Sequence, residues 1–401
     1  MKKKILALAV LGAFASVAQA QTNVTIGGVL QVDVKSYKVG NTTRPSTNEL
    51  RVDDDYTSRF WLTGTEDLGG GNSAIFYVEN RLNMDVNNIQ GIGNGLANGD
   101  SFVGLKGGWG QVTVGKHSWM VAQGVLTEAL AAKGVTAMPS SMWGTFSILS
   151  QAAGYLDVTR RANSIMYRSP NMSGFSGSAG FSPNSAGNEG NLACTGTGLT
   201  ALVNSTVTAT SSATCPTLTT VGGVTNTAYT DGREYYLQGN YSNGPLWLNM
   251  AYRNNQAEGR NGIDDKQLRL SGYYKINSFK LGLQVDRATR DVVAAGNSVA
   301  SFSRTAWQIP LSYVMGNEAF LLSYTRANDL SNTPNSGAKM WSIGWDHAFS
   351  ARTNGGIYYS KLTNDSAGLY QSFLAGTSSH GTATGAGESA STFALGIKHT
   401  F

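Results

Sequence analysis

The chain of 401 residues contains 49 Gly, 8 Pro and 2 Cys, and only 14% of its residues are charged. That charged share lies well below the quarter usual for a soluble protein, and the glycine excess argues against a helix-rich chain. Lys+Arg number 30 against 25 Asp+Glu; without Lys2, Lys3 and Lys4 the formal net charge is 5 − 3 = +2, which leaves no basic footprint for nucleic acid.

In chain order, the first element is an export signal. Three lysines precede an apolar run from Ile5 to Val17 and the small-x-small triplet Ala18-Gln19-Ala20. The pattern predicts a signal peptide over residues 1–20 and one mature domain over residues 21–401, beginning at Gln21. The run is shorter than the roughly 20 residues a spanning helix needs.

From there to the C-terminus the dominant periodicity is two. Ile26, Gly28, Leu30, Val32 and Val34 share one face of the first segment, and Gln31, Asp33, Lys35 and Tyr37 share the other. The same alternation returns in Leu246–Arg253, Phe279–Asp286, Arg304–Tyr313 and Thr392–Phe401. These are strands with one apolar and one polar face.

The connections between them are of two kinds. Tight turns are expected at Asp67–Gly71, Gly107–Gly110, Pro170–Gly174, Ser242–Pro245, Asn277–Ser278, Gly316–Asn317 and Phe349–Arg352. Long polar segments alternate with them: Val39–Thr57, Asn83–Gly99, Ser118–Arg161, Asn184–Gly232, Asn255–Asp265, Thr289–Ser303, Asn328–Gly337 and Thr363–Ala390. Seven turns and eight loops imply sixteen strands. An even number of antiparallel strands with short turns at one end and long loops at the other describes an all-β transmembrane 16-stranded antiparallel β-barrel, closed because an open edge in lipid leaves backbone groups unpaired. Its turns would be periplasmic and its loops external. Aromatic residues near the strand ends, such as Phe60-Trp61, Tyr235-Tyr236, Tyr273-Tyr274 and Tyr358-Tyr359, read as interfacial girdles. A soluble β-sandwich would use the same alternation; export and the regular succession of short and long connections favour the membrane.

A barrel of this strand number leaves a water-filled lumen, so function depends on what narrows it. The loop Ser118–Arg161 is unusually apolar, with a short helix expected over Leu126–Lys133, and is read as folded inward to form a constriction. Parity places Lys35, Arg59, Arg81, Arg168, Arg253, Arg269, Lys280, Arg304 and Lys398 inside, against the acids Asp33, Glu79, Glu234, Asp286 and Asp346. An excess of basic side chains along a pore favours anions. His117 begins the inserted loop and is read as a lumen-wall residue. Cys194 and Cys215 lie in one Thr/Ser-rich loop of an exported chain and are expected to form a disulfide.

Several segments also resemble the general diffusion porins of β-proteobacteria. They are Ser58-Arg59-Phe60 followed by Gly64-Thr65-Glu66-Asp67-Leu68-Gly69-Gly70-Gly71 and Glu79, Phe102-Val103-Gly104-Leu105 with Gly107-Gly108-Trp109-Gly110, Asn163-Ser164-Ile165, and the ending Ala394–Phe401. The resemblance covers the whole mature chain. It implies a homotrimer in the outer membrane of a Gram-negative bacterium, a third external loop inside the lumen, and a mild anion preference set by arginines opposite that loop. Arg59 and Arg160 match two such positions; where a third arginine is usual, this chain reads Asn98-Gly99-Asp100-Ser101. The resemblance also gives Phe401 the role of terminal aromatic read by the barrel-assembly machinery.

Other functions find less support. Enzymatic chemistry needs a nucleophile or carboxylate with an oriented histidine, and His117, His347, His380 and His399 are scattered without such spacing or metal-ligand spacing. Gly69-Gly70-Gly71 lacks a following GK[ST], and Asp53-Asp54-Asp55 lacks EF-hand spacing. The expectation is passive diffusion of small hydrophilic or anionic solutes, with no enzyme activity and no cofactor. A substrate-specific channel is the nearer alternative, and a barrel enzyme or adhesin the remoter one.

Overall fold

The computed structural model describes residues 23–40, 47–53, 58–82, 84, 96–119, 160–183, 219–221, 224–226, 233–256, 263–293, 299–370 and 386–401. Its strands are β1 (Asn23–Gly40), β2 (Thr47–Asp53), β3 (Arg59–Gly69), β4 (Asn72–Arg81), β5 (Ser101–Gly107), β6 (Gly110–Ser118), β7 (Arg160–Arg168), β8 (Phe175–Ser182), β9 (Thr219–Val221) and β10 (Val224–Asn226). They continue with β11 (Arg233–Asn243), β12 (Leu246–Gln256), β13 (Ile263–Ile276), β14 (Phe279–Val293), β15 (Val299–Met315), β16 (Glu318–Ala327), β17 (Ala338–Ala348), β18 (Thr353–Asn364) and β19 (Ser389–Thr400).

All neighbouring pairs are antiparallel, and the sheet closes where β1 meets β19, from Val29↔Thr400 to Gly40↔Ser389. On its other edge β1 pairs twice: Asn23–Val29 with β3, and Asp33–Val39 with β2. The segments β2 and β3 therefore make one interrupted stave, while β9 and β10 form a separate hairpin. The result is a closed barrel of sixteen staves. Every expected tight turn joins two adjacent staves, as at Gly69/Asn72, Gly107/Gly110 and Asn243/Leu246.

The expected loops are shorter than the composition suggested at several places. Strand β1 runs to Gly40, β12 to Gln256, β14 to Val293, and β2 occupies part of the first loop. Strands of 14 to 18 residues, as in β1, β13, β14 and β15, exceed the roughly 9–11 needed to cross a bilayer. Polar residues at those ends keep pairing because ladder bonds cost nothing extra where both strands continue.

Burial inverts the pattern of a soluble protein. Leu281, Leu283, Leu395 and Ile397 are each more than half exposed, whereas Gln284 and Asp286 on the same strand β14 are 2% and 1% exposed. A β-sandwich would bury the leucines. An apolar outer surface of this extent is stable only against lipid. The aromatic doublets require a correction, because period two sends one member of each inward: Tyr235 and Tyr274 are exposed outside, but Tyr236 and Tyr358 are buried inside, and Trp61 lies across Gly27.

Glycine is required at Gly115. Its φ is +147°, and a Cβ there would lie 2.2 Å from the Ser101 carbonyl oxygen. The register shifts between Gly115 and His117, a bulge that re-aims the end of β6. Gly115→Ala is expected to cost about 1–3 kcal/mol from backbone strain alone, read as a lower folded yield at a given denaturant concentration during refolding. An unchanged yield would show that the bulge relaxes freely.

Candidate functional site

The inner wall is polar because alternate residues of every stave face it, and two clusters of charge lie on it among others. The first lies on β1, β3 and β4. Asp33 and Lys35, both nearly fully buried, are 3.5 Å apart, and Gln31 donates to Asp33 at 3.3 Å. Glu79 accepts from Arg81 Nε at 2.9 Å and from the Tyr77 hydroxyl at 3.2 Å, with Arg59 Nε at 3.7 Å. Two guanidiniums thus share one carboxylate, and the cross-strand pair Arg59↔Arg81 leaves net positive charge at this level.

The second cluster lies on β7, β11 and β12. Glu234, fully buried, is gripped by both Arg161 and Arg253. Further round, Arg269 Nε meets Asp286 at 2.9 Å and Gln267 donates to the same oxygen at 2.8 Å. Burying charge is tolerated here because each carboxylate is paired and hydrogen-bonded. Again there are more arginines than acids.

Between the clusters runs an aromatic rib. Tyr77 stacks on Phe102 at 5.5 Å, and Phe102 on His117 at 5.1 Å. The His117 ring sits between the hydroxyls of Thr113 at 2.9 Å and Ser164 at 2.6 Å. Ser118 is held by Asp100, whose carboxylate accepts from its hydroxyl at 2.6 Å and its backbone N–H at 3.2 Å. The next residue, Trp119, is fully buried, stacked on Tyr236 at 5.5 Å and 13°, and grouped with Met166 and Ala251. Those partners belong to β7, β11 and β12, so the chain turns across the inner wall as it leaves β6.

The structure brings Asp33, Lys35, Arg59, Glu79 and Arg81 to one sector of the wall. Arg168 is half-buried opposite Gln111 and Ser178, in the inward row of Met166. Arg160 pairs in register with Ser118. The neighbouring Arg161 is the residue that reaches Glu234, which parity does not anticipate: Asn163 adopts φ +49°, so the alternation breaks between Ser164 and Arg161. An asparagine, which tolerates that conformation, is the available signal. Arg290, Trp119 and Tyr370 also escape the sequence reading. Residues 1–20, 120–159 of the third loop with the expected helix Leu126–Lys133, and Cys194 and Cys215 lie outside the described residues. Phe401 closes the barrel: its N–H and carbonyl pair with Gly28 at 3.0 and 3.1 Å, and its ring fills the space a Gly28 side chain would take.

A closed sheet with a lipid-compatible outer face and an arginine-rich inner face defines a transmembrane β-barrel. The chain belongs to the Gram-negative porin family, whose model matches residues 7–367. It is 32% identical over 183 residues to outer membrane porin protein 32 of Delftia acidovorans, covering 45% of this chain and 49% of that one. It is 26% identical over 322 residues to an outer membrane porin protein of Bordetella pertussis, covering 72% and 70%. The chain spans about half the length of the Delftia and Neisseria relatives it matches. Among solved structures, an anion-selective porin from Comamonas acidovorans superposes with TM-score 0.69 at 23% identity over 95% of this chain and 100% of that one. The trimer form of OmpT from Vibrio cholerae gives 0.59 at 12% identity over 95% and 99%. The solved structures establish the fold, and membership of the family places the chain in the outer membrane.

Proposed function

We propose that this chain is a water-filled outer-membrane channel for passive diffusion of small hydrophilic solutes and ions, with a preference for anions, working as a homotrimer. The observation that carries the reading is the sorting of side chains: leucine and isoleucine outside, and inside a wall where Arg59, Arg81, Arg161, Arg253 and Arg269 meet fewer carboxylates. Asp33, Lys35, Arg59, Glu79, Arg81, His117, Arg160 and Arg168 are taken as lumen-lining. The likeness to the anion-selective Comamonas porin supports the anion preference, and the likeness to the trimer form of the Vibrio protein supports the trimer. Trp119, turned across the inner wall, supports a third loop that enters the lumen. The same reading includes cleavage of residues 1–20, a Cys194–Cys215 disulfide, and Phe401 as the residue the barrel-assembly machinery reads.

The experiment is a reversal potential for the purified channel in a planar bilayer under a KCl gradient. An ion within about 4 Å of a wall charge feels roughly 1 kcal/mol even in water, about a fivefold bias. The wild type is expected to favour chloride, and Arg59→Glu with Arg81→Glu to shift the potential toward potassium. A potential unmoved by both substitutions would remove these residues from the ion path, and absence of conductance would remove the channel itself.

A further inference from the structure

The inner wall near the external mouth holds a second, differently built feature on β15, β16 and β17. Ala306, Ala327 and Ala338 stand side by side in register, each at most 1% exposed, so three neighbouring staves present only methyl groups. Small side chains at three adjacent positions form the floor of a recess beside the longer Arg304 and Gln308. At its external edge stands Arg304, and on its other side Gln308 lies opposite Thr325.

These three polar residues are 2%, 0% and 1% exposed, yet Arg304 Nε and Nη2, both side-chain atoms of Gln308 and the Thr325 hydroxyl have no hydrogen-bond partner among the described residues. A buried guanidinium without a carboxylate is costly, since burying charge is tolerated only when it is paired. Nε and Nη2 form the side-on edge of the fork, the geometry that receives both oxygens of a carboxylate.

The recess is occupied by a side chain of the chain itself. Tyr370, from the last long loop, packs in the apolar cluster with Ala306, Ala327 and Ala338, and its hydroxyl bonds Arg304 Nη1. The guanidinium carbon also lies 5.1 Å from the Tyr370 ring centroid. Asn364 ties the loop in place: its amide donates to the Tyr370 carbonyl at 2.9 Å and accepts from the Tyr370 N–H at 2.9 Å. The site therefore already accepts a six-membered aromatic ring with an oxygen directed at Arg304, while the two-point edge of that arginine is buried without a hydrogen-bond partner among the described residues.

We propose that this recess is a binding site in the channel wall for a monocyclic aromatic carboxylate, with Tyr370 as its tethered competitor. The ring replaces the phenol on the alanine floor, the carboxylate takes the Nε/Nη2 edge, and a ring hydroxyl reaches Gln308 or Thr325. The inference deepens the channel reading by naming a solute class, and rests on that reading for its route of access.

Binding is measured directly, apart from conduction, by saturation-transfer NMR of benzoate with the full chain folded in detergent. Tyr370→Ala is expected to tighten benzoate about tenfold, because an internal competitor taxes affinity by the fraction of site it occupies. Adding Arg304→Gln to that variant is expected to abolish the gain, Arg304→Lys to keep only part of it, and benzamide, which lacks the charge, to bind at least about tenfold more weakly than benzoate. Arg304→Lys keeps the charge, and far-UV circular dichroism checks that each variant is folded. Equal benzoate affinity in wild type and Tyr370→Ala, or equal affinity for benzamide, would overturn the proposal. Benzoate binding in a protein that passes no KCl current would instead leave the site standing and fail the channel reading.

Discussion

Glu234→Gln is expected to lower the unfolding free energy of the barrel by about 3–5 kcal/mol, the range for breaking a buried ion pair by removing one partner. Glu234 is fully buried between Arg161 and Arg253, which approach from strands on opposite sides of it. Without its charge the two guanidiniums repel across a site from which water is largely excluded. The loss should appear in urea or heat unfolding of the detergent-folded protein. It should be partly recovered by Glu234→Gln with Arg253→Met, because that removes one of the two guanidiniums left without a counter-charge. In a bilayer the single variant adds net positive charge to the wall and should raise the chloride preference. An unfolding midpoint equal to that of the wild type would mean that solvent or other wall groups already satisfy the two arginines.

The second large effect is expected at Trp119. This side chain is fully buried, stacked on Tyr236, and so close to β8 that a methyl at Gly180 would lie 3.0 Å from its ring. Truncating a buried tryptophan costs about 3–5 kcal/mol. Here most of that energy belongs to the attachment of one segment, because the barrel ladder closes without it. Trp119→Ala is therefore expected to give larger and noisier single-channel currents, with a much smaller shift in the global unfolding midpoint. Gly180→Ala, which presses on the same ring, should change the current in the same direction but less. Currents indistinguishable from wild type in both variants would show that the root of the third loop does not set the conductance.

The legibility of the site varies with the kind of signal. Glu79, Arg81, Asp33 and Lys35 read as inward from alternation alone and are grouped by the fold, because a strand allows only two directions and the apolar residues claim one. Arg161 is illegible because a single left-handed residue, Asn163, resets the alternation, and strict parity has no term for a bulge. The aromatic doublets mislead for the opposite reason: adjacency in sequence is not adjacency in space. Tyr370 lies in a loop without periodicity, so nothing local announces that its ring reaches β15.

The amino-acid sequence by itself determined the barrel. Period-two alternation, seven tight turns and an apolar face on each segment leave no other closed arrangement in lipid, since every backbone group must pair. Only the tertiary structure decided which charges meet. The register between staves sets Asn255 opposite Glu234 and Arg253 opposite Tyr236, so that Arg253 reaches Glu234 diagonally, and folding of distant segments onto the inner wall brings Trp119 to Tyr236 and Tyr370 to Arg304. Local propensity carries no information about those contacts, because they join residues that only closure of the sheet brings within reach.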